Sequence, residues 1–134
     1  MIITDSRVVN WVKFRTGLSL GATAVGIGEE RNGKLIAGVS YDCWTKKNVF
    51  VSLAVDESPS KLFWAVVADY PFEKLQCDRV TAMLEGSNTK SAKVTQHMGF
   101  TEECRLKGAA ADGSDLVMHV LHKDDCRVFN WRRK

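Results

Sequence analysis

Residues 85 to 100 read EGSNTKSAKVTQHMGF, a stretch in which Asn88 and Ser91 stand one helical turn apart and Gly99-Phe100 closes the unit. An asparagine there can cap a helix, because its side-chain oxygen reaches the backbone N–H groups of the first turn. Two other places carry proton chemistry. His119 titrates near neutrality and acts as an acid or base if its strand faces a ligand; packed within the strand it only fills space. Asp42 lies in an apolar run beside Tyr41, a setting that raises a carboxyl toward the range of a general base. Glu29 and Asp56 are the other carboxylates on or beside central strands, and Glu29 and Glu30, next to a turn, read as solvated surface.

Metal and disulfide chemistry have little support. His119, His122 and Cys126 are the nearest approach to a ligand set, but residues three apart in a strand point to opposite faces, so no metal is expected. Cys43, Cys77, Cys104 and Cys126 are scattered without a C-x-x-C pair, as reduced thiols in a cytosolic setting would be. The net charge of +3 owes much to Lys46, Lys47 and the final WRRK, which reads as a solvated end rather than a nucleic-acid surface. No apolar run approaches the roughly 20 residues that span a bilayer. The first residues lack a charged-then-apolar leader, so a cytoplasmic location is expected. With 134 residues, 45% of them apolar and 26% charged, the chain suits one compact domain over residues 1–134.

The elements follow from periodicity. Thr4, Asp5 and Ser6 can cap a helix over 4–15, broken by Gly17 and Gly21. Asn32-Gly33 between two strand-like runs predicts a hairpin of strands 23–30 and 34–44. NVFVSLAV alternates as a third strand beside the second. Ser58 and Pro59 open a helix over 59–70 that ends near Pro71. A strand over 79–85, a helix from Asn88 or Thr89 to Met98, and two further strands in EECRLKG and LVMHVLH complete the chain. This is an α+β order, helices on a mostly antiparallel sheet, with at least one parallel pair required by the strand–helix–strand middle.

The run YPFEKLQCDRVTAMLEGSNTKSAKVTQHMGFTEECRLKG resembles the GNAT superfamily of acetyl-CoA-dependent acyltransferases, most of all its ribosomal-protein N-terminal acetyltransferase branch. The matching features are an aromatic and Phe-Glu ending a helix, Arg-Val opening a strand, Asn after it, Ser three residues on, Gly-Phe eleven and twelve on, and Glu in the next strand. The resemblance spans roughly residues 22–123. It implies a mixed, mostly antiparallel sheet with helices on both faces and two parallel strands, here about 48–56 and 79–85, splayed into a slot for acetyl-CoA. It further implies that backbone groups near Leu53, Ala54 and Val55 meet the pantetheine amides and that Asn88 and Ser91 face the cofactor. A strand edge opened by splay has N–H and C=O groups that an extended diamide can satisfy.

The chain also departs from the family. Where relatives carry a glycine-rich loop around the pyrophosphate, this sequence has DESPSK; Ser58, Ser60 and Lys61 can still offer hydroxyls, a positive charge and helix N–H groups, with Asp56 and Glu57 opposing. Thr95 stands where many relatives place a tyrosine acid, and His119 stands at a position the ribosomal branch often gives to tyrosine. The catalytic set expected from these readings is His119, Asp42 and Tyr41. Only about 20 residues precede the first hairpin, so the acceptor side is either open or completed by a second copy, as in the compact members that bacteriophages carry. The implied activity is transfer of acetyl from acetyl-CoA to a primary amine of a protein N-terminus, lysine or small amine. A catalytically inert binding or inhibitory protein of the same fold is the alternative.

Overall fold

The computed structural model of the chain describes residues 1–17 and 23–128. The helix break expected at Gly21 and the basic WRRK end lie outside the described residues. One seven-stranded sheet organises the chain: β1 (Ile2–Ile3), β2 (Val25–Arg31), β3 (Lys34–Asp42), β4 (Asn48–Val55), β5 (Arg79–Glu85), β6 (Thr101–Leu106) and β7 (Leu116–His122), in the order β1-β2-β3-β4-β5-β7-β6. Every neighbouring pair is antiparallel except β4 with β5. The strand β1 escaped the sequence reading because two residues carry no period; its ladder extends through the Met1 carbonyl, which accepts from Glu30 N–H at 2.8 Å.

Helix α1 (Ser6–Thr16) starts at Asp5, whose carboxylate accepts from Arg7 N–H at 2.9 Å, and stops at Gly17 in the left-handed conformation. Val8 and Val12, one turn apart and both fully buried, settle on Gly26, Gly28 and Gly38 of the first two long strands. A side chain at Gly26 would place its Cβ 2.8 Å from that of Val8, so the glycines let this helix approach the sheet closely. The hairpin turn has positive φ at both Asn32 and Gly33, as a two-residue connection with right-handed strand twist requires. The strand that follows ends at Asp42, shorter than expected, because Cys43 takes a positive φ and its N–H is held by the Asp42 carboxylate at 2.9 Å.

The opposite face carries α2 (Lys61–Asp69) and α3 (Thr89–Met98) over a core that includes Ile27, Val39, Tyr41, Val49, Phe63, Val67, Phe72, Val80 and Leu121. The cap of α2 is Ser60, two residues later than the sequence suggests, its hydroxyl accepting from Phe63 N–H at 3.2 Å. After Asp69 the chain enters a π-helical turn, Tyr70–Lys74, in which Leu75 N–H reaches Tyr70 C=O. The wider turn accommodates Pro71, which has no N–H to give. The crossover from β4 through α2 to β5 makes the two strands parallel, and their partnership fixes the site.

Candidate functional site

Pairing of β4 with β5 is incomplete. Four residues of each are in register, from Asn48↔Arg79 to Val51↔Ala82, and beyond that point the strands diverge. A cavity of ≈ 430 Å³ opens in the gap, walled by Ser52–Val55 on one side and Met83–Glu85 on the other. Asn88, Lys90 and Ser91 from the start of α3 and Arg15 and Thr16 from the end of α1 complete its lining.

The direction of the backbone groups follows from the neighbouring ladders. Asp56 N–H bonds to Ile36 C=O on the far side of β4. N–H and C=O groups alternate sides along a strand, so those of Val55 and Leu53 turn into the gap and those of Ala54 turn back toward β3. On the other wall Gly86 N–H bonds to Asp115 C=O, which by the same alternation turns Glu85 N–H into the gap. The gap is therefore a V with donors and acceptors along its sides, half-buried backbone groups that strand pairing leaves open to water or a ligand.

Side chains finish the walls. Arg15 lies over the Trp11 ring at 4.0 Å and grips Asp56 with two hydrogen bonds of 2.9 and 2.7 Å. The guanidinium bond holds the Asp56 carboxyl below its ordinary range. Asn88 caps α3, its oxygen accepting from Ser91 N–H at 3.1 Å, while both residues also line the slot.

The expected phosphate cradle is built differently. Ser60 N–H and hydroxyl both donate to the Glu29 carboxylate, the N–H at 3.1 Å, and Arg31 binds the same carboxylate at 2.8 Å. Glu29 is only 4% exposed, so its reading as solvated surface is corrected: a register shift between Glu29 and Glu30 lets it turn under the start of α2. Burial pushes the Glu29 carboxyl up, but the Ser60 and Arg31 bonds outweigh it and hold the group below the usual carboxylate range. Ser58 contributes its carbonyl to Arg31 at 3.2 Å, and neither Ser58, Ser60 nor Lys61 is among the residues that line the slot.

That arrangement predicts a pH-dependent loss. Because the folded carboxyl is depressed, its contribution is present above the unfolded value near 4.5 and disappears as pH falls through the folded one. Glu29→Gln is expected to cost about 1.5 kcal/mol at pH 7, the difference between a charged and a neutral acceptor. In urea unfolding the difference between the two proteins should shrink as pH falls below the unfolded value near 4.5; a constant difference from pH 7 into acid would mean the charge is not what matters.

The residues expected to carry catalysis lie apart. Tyr41 is buried and donates its hydroxyl to Val67 C=O at 2.6 Å, with burial pushing its pKa well up. Asp42 pairs with Phe50, at the zipped end of β4 and remote from the opening. His119 stands on β7 opposite Ala82, one strand beyond the slot; burial holds its imidazole below the ordinary range, and Nδ1 has no hydrogen-bond partner among the described residues. None of the three lines the slot. The structure brings in instead Arg15, Thr16, Asp56, Glu85 and Lys90. Lys90 lay within the motif already singled out, whereas nothing local marks Arg15, whose position depends on where α1 ends. Among the described residues no group of three or more His, Cys, Asp and Glu side chains is placed to hold a metal ion, and no helix is long and apolar enough to cross a membrane.

The fold can be set beside solved structures. A mutant form of the spermidine/spermine N-acetyltransferase SpeG from Vibrio cholerae superposes with a TM-score of 0.74 over 100% of this chain and 98% of that one, at 11% identity. The ribosomal-protein-S5-alanine acetyltransferase from Vibrio fischeri gives 0.62 over 90% of this chain and 71% of that one, at 22% identity. The N-acetyltransferase PseH of Campylobacter jejuni gives 0.63 over 92% and 97%, at 14% identity. No protein-family pattern and no curated protein sequence matches the chain. At these identities the likeness is one of fold alone, the GNAT arrangement, in this chain a mostly antiparallel sheet with one parallel pair.

Proposed function

We propose that the chain is an N-acetyltransferase that takes acetyl-CoA in the V between β4 and β5 and transfers the acetyl group to a primary amine. The observation that carries this reading is the early end of strand pairing at Val51↔Ala82, which leaves backbone groups of Leu53 and Val55 facing a slot wide enough for an extended ligand. The pantetheine arm has two amides and an extended shape, and fits such an edge as an added strand would. Backbone N–H groups at the vertex then polarise the thioester carbonyl, and holding amine and thioester together removes much of the entropic barrier.

In the reaction the amine nitrogen forms a bond to the carbonyl carbon, the carbon–sulfur bond breaks, and the amine proton leaves to a base while the thiolate takes one up. Glu85 is the carboxylate we assign to the base role, because it lines the slot while Asp56 is held by Arg15. Asn88 and Ser91 face the ligand at its other side, and Lys90 supplies the cation for its phosphates. The acceptor class is a protein N-terminus, a lysine or a small amine.

A second reading is favoured by one observation: Glu29 already fills the helix start where a pyrophosphate is expected. On that reading the domain is catalytically inert and serves to bind or inhibit. Calorimetry with acetyl-CoA, followed by a free-thiol assay over an amine panel that includes spermidine and peptides with free N-termini, separates the two. Binding with thiol release supports the enzyme; no binding at high micromolar concentration overturns the enzyme reading and supports the inert domain, as does binding without release over a broad panel.

A further inference from the structure

Behind the vertex of the V lies a second, smaller cavity of ≈ 50 Å³, between the sheet and helices α2 and α3. Val51 and Leu53 of β4 and Ala82 and Leu84 of β5 form its sheet side, so it flanks the point where the strands part. It shares Leu53, Leu84 and Ser91 with the slot. Its volume is several times the about 10–15 Å³ that a single water needs. Water is nonetheless a poor occupant. Tyr41 donates its hydroxyl to Val67 C=O at 2.6 Å and Thr95 donates its own to Ala92 C=O at 3.0 Å, which leaves the lining apolar. Apolar cavities of this kind stay dry and take up apolar groups.

A ligand laid along the walls of a V places its end at the vertex, and at this vertex the end meets a dry cavity. We propose that the acyl end of the donor extends into this cavity, so that the slot takes acyl-CoA donors with one or two carbons beyond acetyl, propionyl and butyryl, in preference to acetyl itself. The inference rests on the reading of the slot as an acyl-CoA site. Each additional methylene seated there is worth about fourfold in affinity, from the free energy of burying one CH₂.

The test is a series of calorimetric titrations of the wild-type chain with CoA, acetyl-CoA, propionyl-CoA and butyryl-CoA. Binding should strengthen along the acyl series, by about sixteenfold from acetyl to butyryl. If CoA itself fails to bind, the slot reading fails and takes this one with it. If CoA binds but butyryl-CoA binds no better than acetyl-CoA, the slot reading stands and the acyl cavity is overturned. Ala68→Leu adds a control, since Ala68 reaches the cavity from α2 and does not line the slot. The variant should keep the affinity for CoA while losing the preference for butyryl; an unchanged preference in a variant with native circular dichroism also overturns the proposal. Should the variant not fold, the wild-type series decides by itself.

Discussion

Gly99→Ala is expected to destabilise the fold by about 3 kcal/mol, the sum of a strained left-handed residue and an overpacked contact. Gly99 ends α3 with φ +113, and its N–H returns to the carbonyls of Thr95 and Gln96. A methyl group added there would overlap the backbone carbonyl of Asp125, which is held by the short helical turn after β7 and has little freedom to withdraw. Phe100 follows directly and is 6% exposed, plugging the core between α3 and the sheet. Moving Gly99 therefore moves Phe100 as well. Thermal unfolding should fall by about 10 °C for a chain of this size. A midpoint within about 2 °C of the wild type would show that the end of α3 can be rebuilt without this glycine.

The second large effect is on ligand binding. Ser91→Trp places an indole in the mouth shared by the slot and the α3 start, where Ser91 is half-buried and its N–H is already held by Asn88. Tryptophan is tolerated in a helix and the position borders open space, so stability should change by less than about 1 kcal/mol. Affinity for acetyl-CoA should drop on the order of 100-fold, about 2.7 kcal/mol. Calorimetry beside a thermal melt reads both quantities. Retained affinity in a folded variant would place the ligand elsewhere than between these strands.

The sequence made much of this fold legible because its signals are local. Asn32-Gly33 announces a hairpin, alternation in NVFVSLAV announces a strand, and Asn88 and Gly99 bracket a helix, each through the conformational demands of one or two residues. The slot was legible in part, since the strand–helix–strand middle requires a parallel pair and the motif at residues 85–100 resembles that of a family that splays one. Its exact walls were not. Arg15 reaches the slot only because α1 packs on glycines, and that depth is a tertiary property. Glu29 misled for a related reason: a bulge in the strand register turned a residue beside a hairpin into a buried cap. His119, Asp42 and Tyr41 were chosen for chemistry that their types allow; none of the three lines the slot, and Tyr41 alone reaches the smaller cavity behind it.

Glu29 also changes how this molecule competes for anions. A carboxylate fixed by the fold against the start of α2 would, on the proposed function, compete with a phosphate as a tethered group at high effective concentration. On the proposed reading, a phosphorylated ligand would have to displace it, wait for its protonation in acid, or find its counter-charge at Lys90, which does line the slot. The last route leaves the self-ligand in place, so the anion end of a bound donor is expected to swing toward α3 and away from α2.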